Sequence, residues 1–241
     1  MLKIAVLDDE RGYIRQICKE TEKYFAKTDT PYGFYDYIDY KQLLQDVESG
    51  RDFDLFLLDV ELGDCSGLDV ARRIRQRDNE CAIVCVTNYT EYAIAAYEVN
   101  AFRYIMKKDL KEKLPEMYDA IVPRLVERKE RFYAARLSSG TERLYYNKIM
   151  YLTRDKKYVV FHMKDKREVR VRGTLGEIER ELGDKDFMWI DKGCIINLNQ
   201  LEAWEDSDCR MRDGTVLGIS RARSRELRDR MMGIGNIKRN G

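Results

Sequence analysis

Histidine is nearly missing from this 241-residue chain, which has one, and none of its six cysteines (18, 65, 81, 85, 194, 209) forms a Cys-x-x-Cys pair. A structural zinc site needs clustered thiolates and imidazoles, so this spacing argues against one. The scatter reads as reduced thiols rather than a disulfide framework. No apolar run approaches the roughly 20 residues that span a bilayer. Leu2-Lys3-Ile4-Ala5-Val6-Leu7 already reads as a strand, so no signal peptide is expected ahead of it, and the chain is read as cytoplasmic. Internal repeats, low-complexity tracts, a helix-turn-helix pattern and a glycine-rich phosphate loop are also missing. No Gly/Ser-rich stretch is available as a long flexible tether.

What the chain does have is charge, unevenly spread. Hydrophobic residues make up 44% and charged residues 36%, with a net charge of +1. Residues 1–125 carry 18 Lys and Arg against 24 Asp and Glu, a net of −6, and residues 126–241 carry 26 against 19, a net of +7. An acidic half joined to a basic half implies two domains with different jobs, the basic one suited to a polyanion. The boundaries are read as 1–125, a helical linker over 126–136, and 137–238.

In the first half, short apolar runs alternate with helical periodicity. Strands are expected at Leu2–Leu7, Tyr35–Ile38, 53–60, Cys81–Val86 and Phe102–Met106. Helices are expected over 13–27, Tyr40–Val47, from Leu68 after Gly67, Tyr89–Val99 and 110–131. Five βα units predict a doubly wound α/β fold with a five-stranded parallel sheet and helices on both faces. Right-handed crossovers bring the carboxyl ends of the strands to one edge, where ligands collect.

That edge gathers Asp8 and Asp9, Asp59, Thr87 and Lys107 from four different strands. Three carboxylates about 5 Å apart repel by roughly 3 kcal/mol per pair at an effective dielectric near 20. A hard divalent cation, Mg²⁺ above all, relieves that repulsion. Lys107 and Thr87 supply a point charge and a hydroxyl for phosphoryl oxygens. A single aspartate after an apolar run is usually a cap or turn residue. Five such groups at four strand ends instead describe phosphoryl transfer to Asp59.

These residues resemble the receiver domain of two-component response regulators: Asp8-Asp9, Asp59 with Gly67 eight residues on, Thr87, and Tyr104-Ile105-Met106-Lys107. The resemblance implies a flavodoxin-like fold and a phosphoacceptor Asp59 served by a histidine kinase. Mg²⁺ would be held by Asp8, Asp9, Asp59 and the backbone carbonyl of Glu61. Thr87 and Lys107 would bind the phosphoryl group, and Tyr104 would be an aromatic switch. The chain departs from that pattern at Lys108 and Gly63, where the family usually has proline. It departs also at Asn88, where the family often has alanine or glycine and where bulk would restrict water.

Beyond about residue 136 the period falls to two. Strands are expected at Lys148–Thr153, Tyr158–Met163, Val169–Arg172, 187–190, Cys194–Leu198, Glu202–Trp204, Cys209–Arg212 and Val216–Ile219. The one clear helix is Leu175–Leu182, with Thr174 as its N-cap. Asp213-Gly214 signals a hairpin. Basic residues fall in loops, and Arg221, Arg223 and Arg225 alternate as if on a strand end facing one partner. The lone His162 reads as a packed or surface residue rather than a ligand.

The run 187–199, ending Ile195-Ile196-Asn197-Leu198-Asn199, together with Ile219-Ser220-Arg221, resembles a LytTR-type DNA-binding domain, here a mostly-β unit with one clear helix. That resemblance implies loops set into double-stranded DNA at direct repeats. The DNA-facing positions would be Lys156, Lys157, Tyr158, Lys192, Arg221 and Arg223. Asp191-Lys192-Gly193 departs from the family's usual basic run. The expectation is a response regulator transcription factor that dimerises when Asp59 is phosphorylated, with no catalysis beyond its own phosphate and no membrane partner. The rival readings are a receiver that controls a protein-interaction module without DNA, and a Mg²⁺-dependent aspartyl phosphohydrolase.

Overall fold

The computed structural model describes residues 1–78 and 80–234. The chain divides into two compact units, Met1–Arg128 and a second that begins at Lys129.

In the first unit the elements are β1 (Leu2–Leu7), α1 (Arg11–Phe25), β2 (Tyr32–Tyr37), α2 (Tyr40–Glu48) and β3 (Leu55–Leu58). There follow a small hairpin, β4 (Glu61–Leu62) and β5 (Cys65–Ser66), then α3 (Gly67–Arg77), β6 (Ala82–Thr87), α4 (Ala93–Glu98), β7 (Arg103–Met106) and α5 (Leu110–Glu130). The sheet runs β2-β1-β3-β6-β7, every pair parallel. Successive strand residues point to opposite faces. Ile4, Val6, Leu55, Leu57, Val84 and Val86 therefore pack under α1 and α5. Ala5, Leu7, Phe56, Leu58, Ile83 and Cys85 pack under α2 and α3. Burial on both faces explains why these strands are continuous apolar runs.

Helix α4 is shorter than the expected Tyr89–Val99. Residues 89–92 are instead drawn into the loop after β6, where the Tyr104 hydroxyl donates to the Tyr89 carbonyl (2.5 Å). Cys81–Val86 and Phe102–Met106 otherwise match β6 and β7 to within a residue.

The second unit holds β8 (Phe132–Leu137), β9 (Gly140–Tyr145), β10 (Ile149–Asp155), β11 (Tyr158–Met163), β12 (Glu168–Arg172), α6 (Leu175–Leu182) and β13 (Phe187–Trp189). It continues with β14 (Cys194–Asn197), β15 (Leu201–Trp204), β16 (Asp208–Met211), β17 (Val216–Gly218) and α7 (Arg221–Ile234). Its main sheet is antiparallel in the order β12-β11-β10-β14-β13, with a three-stranded sheet β15-β16-β17 and the hairpin β8-β9. Thr174 caps α6 in a full capping box with Glu177, as expected, and Gly183 ends it in the left-handed region at φ 57°.

Two expectations for this unit fail. The helical linker over 126–136 stops at Glu130, because Tyr133 and Ala135 are buried while Phe132, Ala134 and Arg136 are exposed, a period of two that makes β8. The unit also has more than one clear helix. Residues 221–234 form α7, anchored by Leu227, which is fully buried with Ile219 against Met211 and Ile196. The last residues of the expected domain, 235–238, lie outside the described residues.

Candidate functional site

Four strand ends meet at the carboxyl edge of the parallel sheet. Asp8, Asp9 and Asp59 each offer a carboxylate oxygen within 4.8 Å of the others. Lys107 reaches across from the end of β7. Its Nζ donates to Asp59 Oδ2 at 2.6 Å and lies 2.8 Å from Asp8 Oδ2 in an ion pair off the line of a hydrogen bond. The lysine is 2% exposed, Asp8 1%, Asp59 5%, and Thr87 is wholly buried, so this is a desolvated charge cluster. Lys107 arrives without the proline that usually follows it. A 3₁₀ turn over Lys107–Asp109, closed by the Leu110 N–H to the Lys107 carbonyl, leads into α5, and the peptide bonds of the described residues are trans.

The electrostatics follow from burial. Asp8 is pushed up to about 6 by desolvation, which the contacts with Lys107 and the Glu10 N–H offset only in part. Burial works against the Lys107 ammonium, but its close contacts with the Asp59 and Asp8 carboxylates outweigh it and hold the lysine above its ordinary value. Three hard carboxylate oxygens at this spacing suit a small divalent cation. Thr87 Oγ1 is buried with no hydrogen-bond partner among the described residues, an orphaned donor at the end of the strand that pairs with β3.

The backbone around Asp59 is shaped by two glycines. A Cβ on Gly67 would lie 1.7 Å from the Asp59 carbonyl oxygen, so the helix α3 start can approach Asp59 only without a side chain. Gly63 sits at φ 66° in the turn of the β4-β5 hairpin, a conformation closed to the proline usual nearby. Glu61 begins that hairpin, its N–H donating to Asp59 Oδ1 at 3.3 Å and its carboxylate accepting from the Tyr92 hydroxyl at 3.3 Å. Tyr104 is half-buried, its phenol pushed up to about 12 chiefly by burial, and it is engaged with the Tyr89 carbonyl rather than with Thr87.

In the second unit the basic loops gather at one end of the main sheet. Lys156 and Lys157 form the exposed turn from β10 to β11, with Lys156 at φ 54°. Lys192 is exposed in the loop before β14, and the Arg154 N–H bonds the Gly193 carbonyl at 2.9 Å, joining the two loops. The Ser220 N–H bonds the Ile190 carbonyl at 2.8 Å, which brings the start of α7 and Arg221 to the same end. Asp191 accepts from the Gly193 N–H at 2.7 Å and is thereby turned to its own backbone. Tyr158 is half-buried, with Lys157 Nζ 5.7 Å from its ring centroid.

Arg223 does not share the direction of Arg221. On a helix, residues two apart do not face each other, and Arg223 pairs with Glu226. Arg225 and Arg228 are the residues that share the face of Arg221; with Ser224 and Ile219 they line one surface depression. Recognising that face needed α7, which sequence reasoning missed.

Asn197, 2% exposed, is fully occupied by the fold. Its amide donates to the carbonyls of Tyr146 (3.0 Å) and Ile149 (2.9 Å), and its oxygen accepts from the Asn199 N–H (3.1 Å). The lone His162 stacks on Tyr151 at 4.2 Å and bonds the Thr153 hydroxyl at 2.8 Å, a packed residue as expected. No described helix is long and apolar enough to cross a membrane.

Comparison with known proteins covers both units. Residues 4–119 match the response regulator receiver domain family, and residues 139–232 match the LytTr DNA-binding domain family. The sensory transduction protein LytT of Bacillus subtilis is 26% identical over 251 residues, 95% of this chain and 98% of its own length. The transcriptional regulatory protein NatR of the same organism is 25% identical, covering 84% of each chain. The crystal structure of the response regulatory domain of mrkE from Klebsiella pneumoniae covers 52% of this chain and 99% of its own, with 20% identity and a TM-score of 0.46.

Proposed function

Because this chain is a DNA-binding response regulator, a receiver domain followed by a LytTR domain, we propose that Asp59 is its phosphoacceptor and that phosphorylation controls how the second unit engages DNA. The observation that carries the reading is Lys107 Nζ held between Asp59 (2.6 Å) and Asp8 (2.8 Å) beside the partnerless Thr87 hydroxyl.

The donor is a histidine kinase. An Asp59 carboxylate oxygen attacks phosphorus as the P–N bond to the kinase histidine breaks. Asp8, Asp9, Asp59 and the Glu61 carbonyl would hold Mg²⁺, which when bound supplies charge neutralisation at the phosphoryl oxygens. Lys107 exchanges its contact with Asp59 for a phosphoryl oxygen, and Thr87 donates its free hydroxyl to another. Drawing Thr87 inward vacates space beside β7, and Tyr104 follows, giving up the Tyr89 carbonyl. Homodimerisation then sets two basic units on adjacent direct repeats, where linkage raises the effective concentration of the second. Lys156, Lys157, Tyr158, Lys192 and Arg221 face the duplex from one sheet end. The protein acts in the cytoplasm and catalyses nothing beyond turnover of its own phosphate.

Incubation with a small acyl-phosphate donor and Mg²⁺ tests the receiver half. Stoichiometric label that disappears in Asp59→Ala supports the reading, whereas many turnovers per chain would make the protein a phosphohydrolase. Footprinting with and without the donor tests the control of DNA binding: an unchanged footprint overturns it.

A further inference from the structure

Lys107 is held on a third side that the phosphoacceptor reading does not use. Its Nζ lies 3.9 Å from the centroid of the Tyr13 ring, from the first turns of α1. The Tyr13 hydroxyl in turn accepts from the Asn88 amide at 3.4 Å. Asn88 immediately follows Thr87, so one aromatic side chain links α1 to the loop after β6 across the buried ammonium. Asn88 is the residue whose bulk departs from the receiver pattern, and here that bulk has a partner. The same loop is tied on another side, where the Tyr92 hydroxyl donates to Glu61 at 3.3 Å. A cation over a ring is attracted by the ring's negative face, most strongly where water is excluded, and Lys107 is 2% exposed.

We infer that Tyr13 is a positioning residue for the phosphoacceptor site: its ring fixes the Lys107 ammonium, and its bridge to Asn88 shields the acyl phosphate from water. The inference rests on Asp59 being the acceptor. Loss of the phosphoryl group is hydrolysis. A water oxygen bonds to phosphorus, the bond from phosphorus to the Asp59 oxygen breaks, the carboxylate leaves with the electron pair, and both water protons end on the released dihydrogen phosphate. Tyr13 touches none of these atoms. It acts through Lys107, whose placement sets the phosphoryl geometry, and through Asn88, which sets access.

The ring and the hydroxyl can be separated. The full chain is labelled with a radioactive acyl-phosphate donor and Mg²⁺, the donor is removed, and the half-life of the label is followed. Tyr13→Ala is expected to shorten it by about fivefold or more, the scale of losing a desolvated cation–π contact. Tyr13→Phe keeps the ring, so it is expected to stay well above the alanine variant, and Asn88→Ala is expected to match it, since both lose only the bridge. A half-life in Tyr13→Ala within twofold of the parent overturns the inference, and so does a Tyr13→Phe half-life as short as that of Tyr13→Ala. Absence of label in the parent protein would overturn the acceptor reading beneath it. Circular dichroism of each variant separates a shortened half-life from loss of fold, and Tyr13→Phe carries the test if the alanine variant does not fold.

Discussion

Gly67 lies so close to Asp59 that an added Cβ would stand 1.7 Å from the Asp59 carbonyl oxygen and 2.8 Å from its carbonyl carbon. Backbone meets backbone there, and neither can swing aside as a long side chain could. Gly67→Ala is therefore expected to destabilise the first unit by roughly 1–3 kcal/mol, the range for forced overpacking. It should also slow labelling of Asp59. Urea unfolding of parent and variant checks the first effect and donor labelling the second; equal midpoints would count against this account of the glycine.

The raised Asp8 carboxyl gives the cation-free first unit a pH dependence of definite sign. Its value of about 6 exceeds the ordinary 3.8, so the folded state binds the proton more tightly than the unfolded chain. The associated stability is fully present below about 3.8 and is lost as pH rises through about 6, on the order of 3 kcal/mol for a two-unit difference. Urea unfolding with a chelator present should therefore show Asp8→Asn more stable than the parent at pH 7.5 and the gap closing at pH 4.5. A gap that does not change with pH would sink this assignment.

His162 moves the opposite way. Burial holds it below its ordinary 6.5, with nearby Glu168 and Asp213 only partly offsetting. A depressed value means that its contribution is present above pH 6.5 and is lost as pH falls through the folded value. As the chain has one histidine, its imidazole signals in a carbon–proton NMR spectrum titrate without overlap, and a midpoint at or above 6.5 would contradict the packing seen around it.

Binding of DNA should be strongly salt-dependent. If about six phosphates are neutralised, affinity falls with roughly the fifth to sixth power of salt concentration. Lys157→Ala should lower that exponent by about one and weaken all sequences alike. Arg221→Ala should cost about 1–3 kcal/mol and relax preference at one base position. Fluorescence anisotropy across a salt series reads both, and a salt-insensitive complex would rule out the basic end of the sheet as the contact.

The parallel sheet and its acidic edge were legible because buried parallel strands are unbroken apolar runs that stop where the chain reaches the edge. Asp8, Asp59, Thr87 and Lys107 could each be placed by that rule alone. Phe132–Leu137 was not legible, because it follows the charged helical run 127–131 and carries two alanines, so its alternation is faint. Helix α7 was hidden because residues 220–225 contain no large apolar side chain; its anchor, Leu227, comes one turn later. The contact of Tyr13 with Lys107 joins residues 94 positions apart, and no periodicity along the chain encodes it.

Asn197 carries a wider consequence. It sits in the segment by which the second unit is most readily recognised, yet its amide nitrogen is spent on holding β14 to the turn before β10, and its oxygen on the turn that follows β14. This part of the segment therefore serves the scaffold, since both amide hydrogens of Asn197 are committed to it. Under the proposed function, exposed positions such as Lys156, Lys192 and Arg221 would meet the DNA, and they can change without disturbing these bonds.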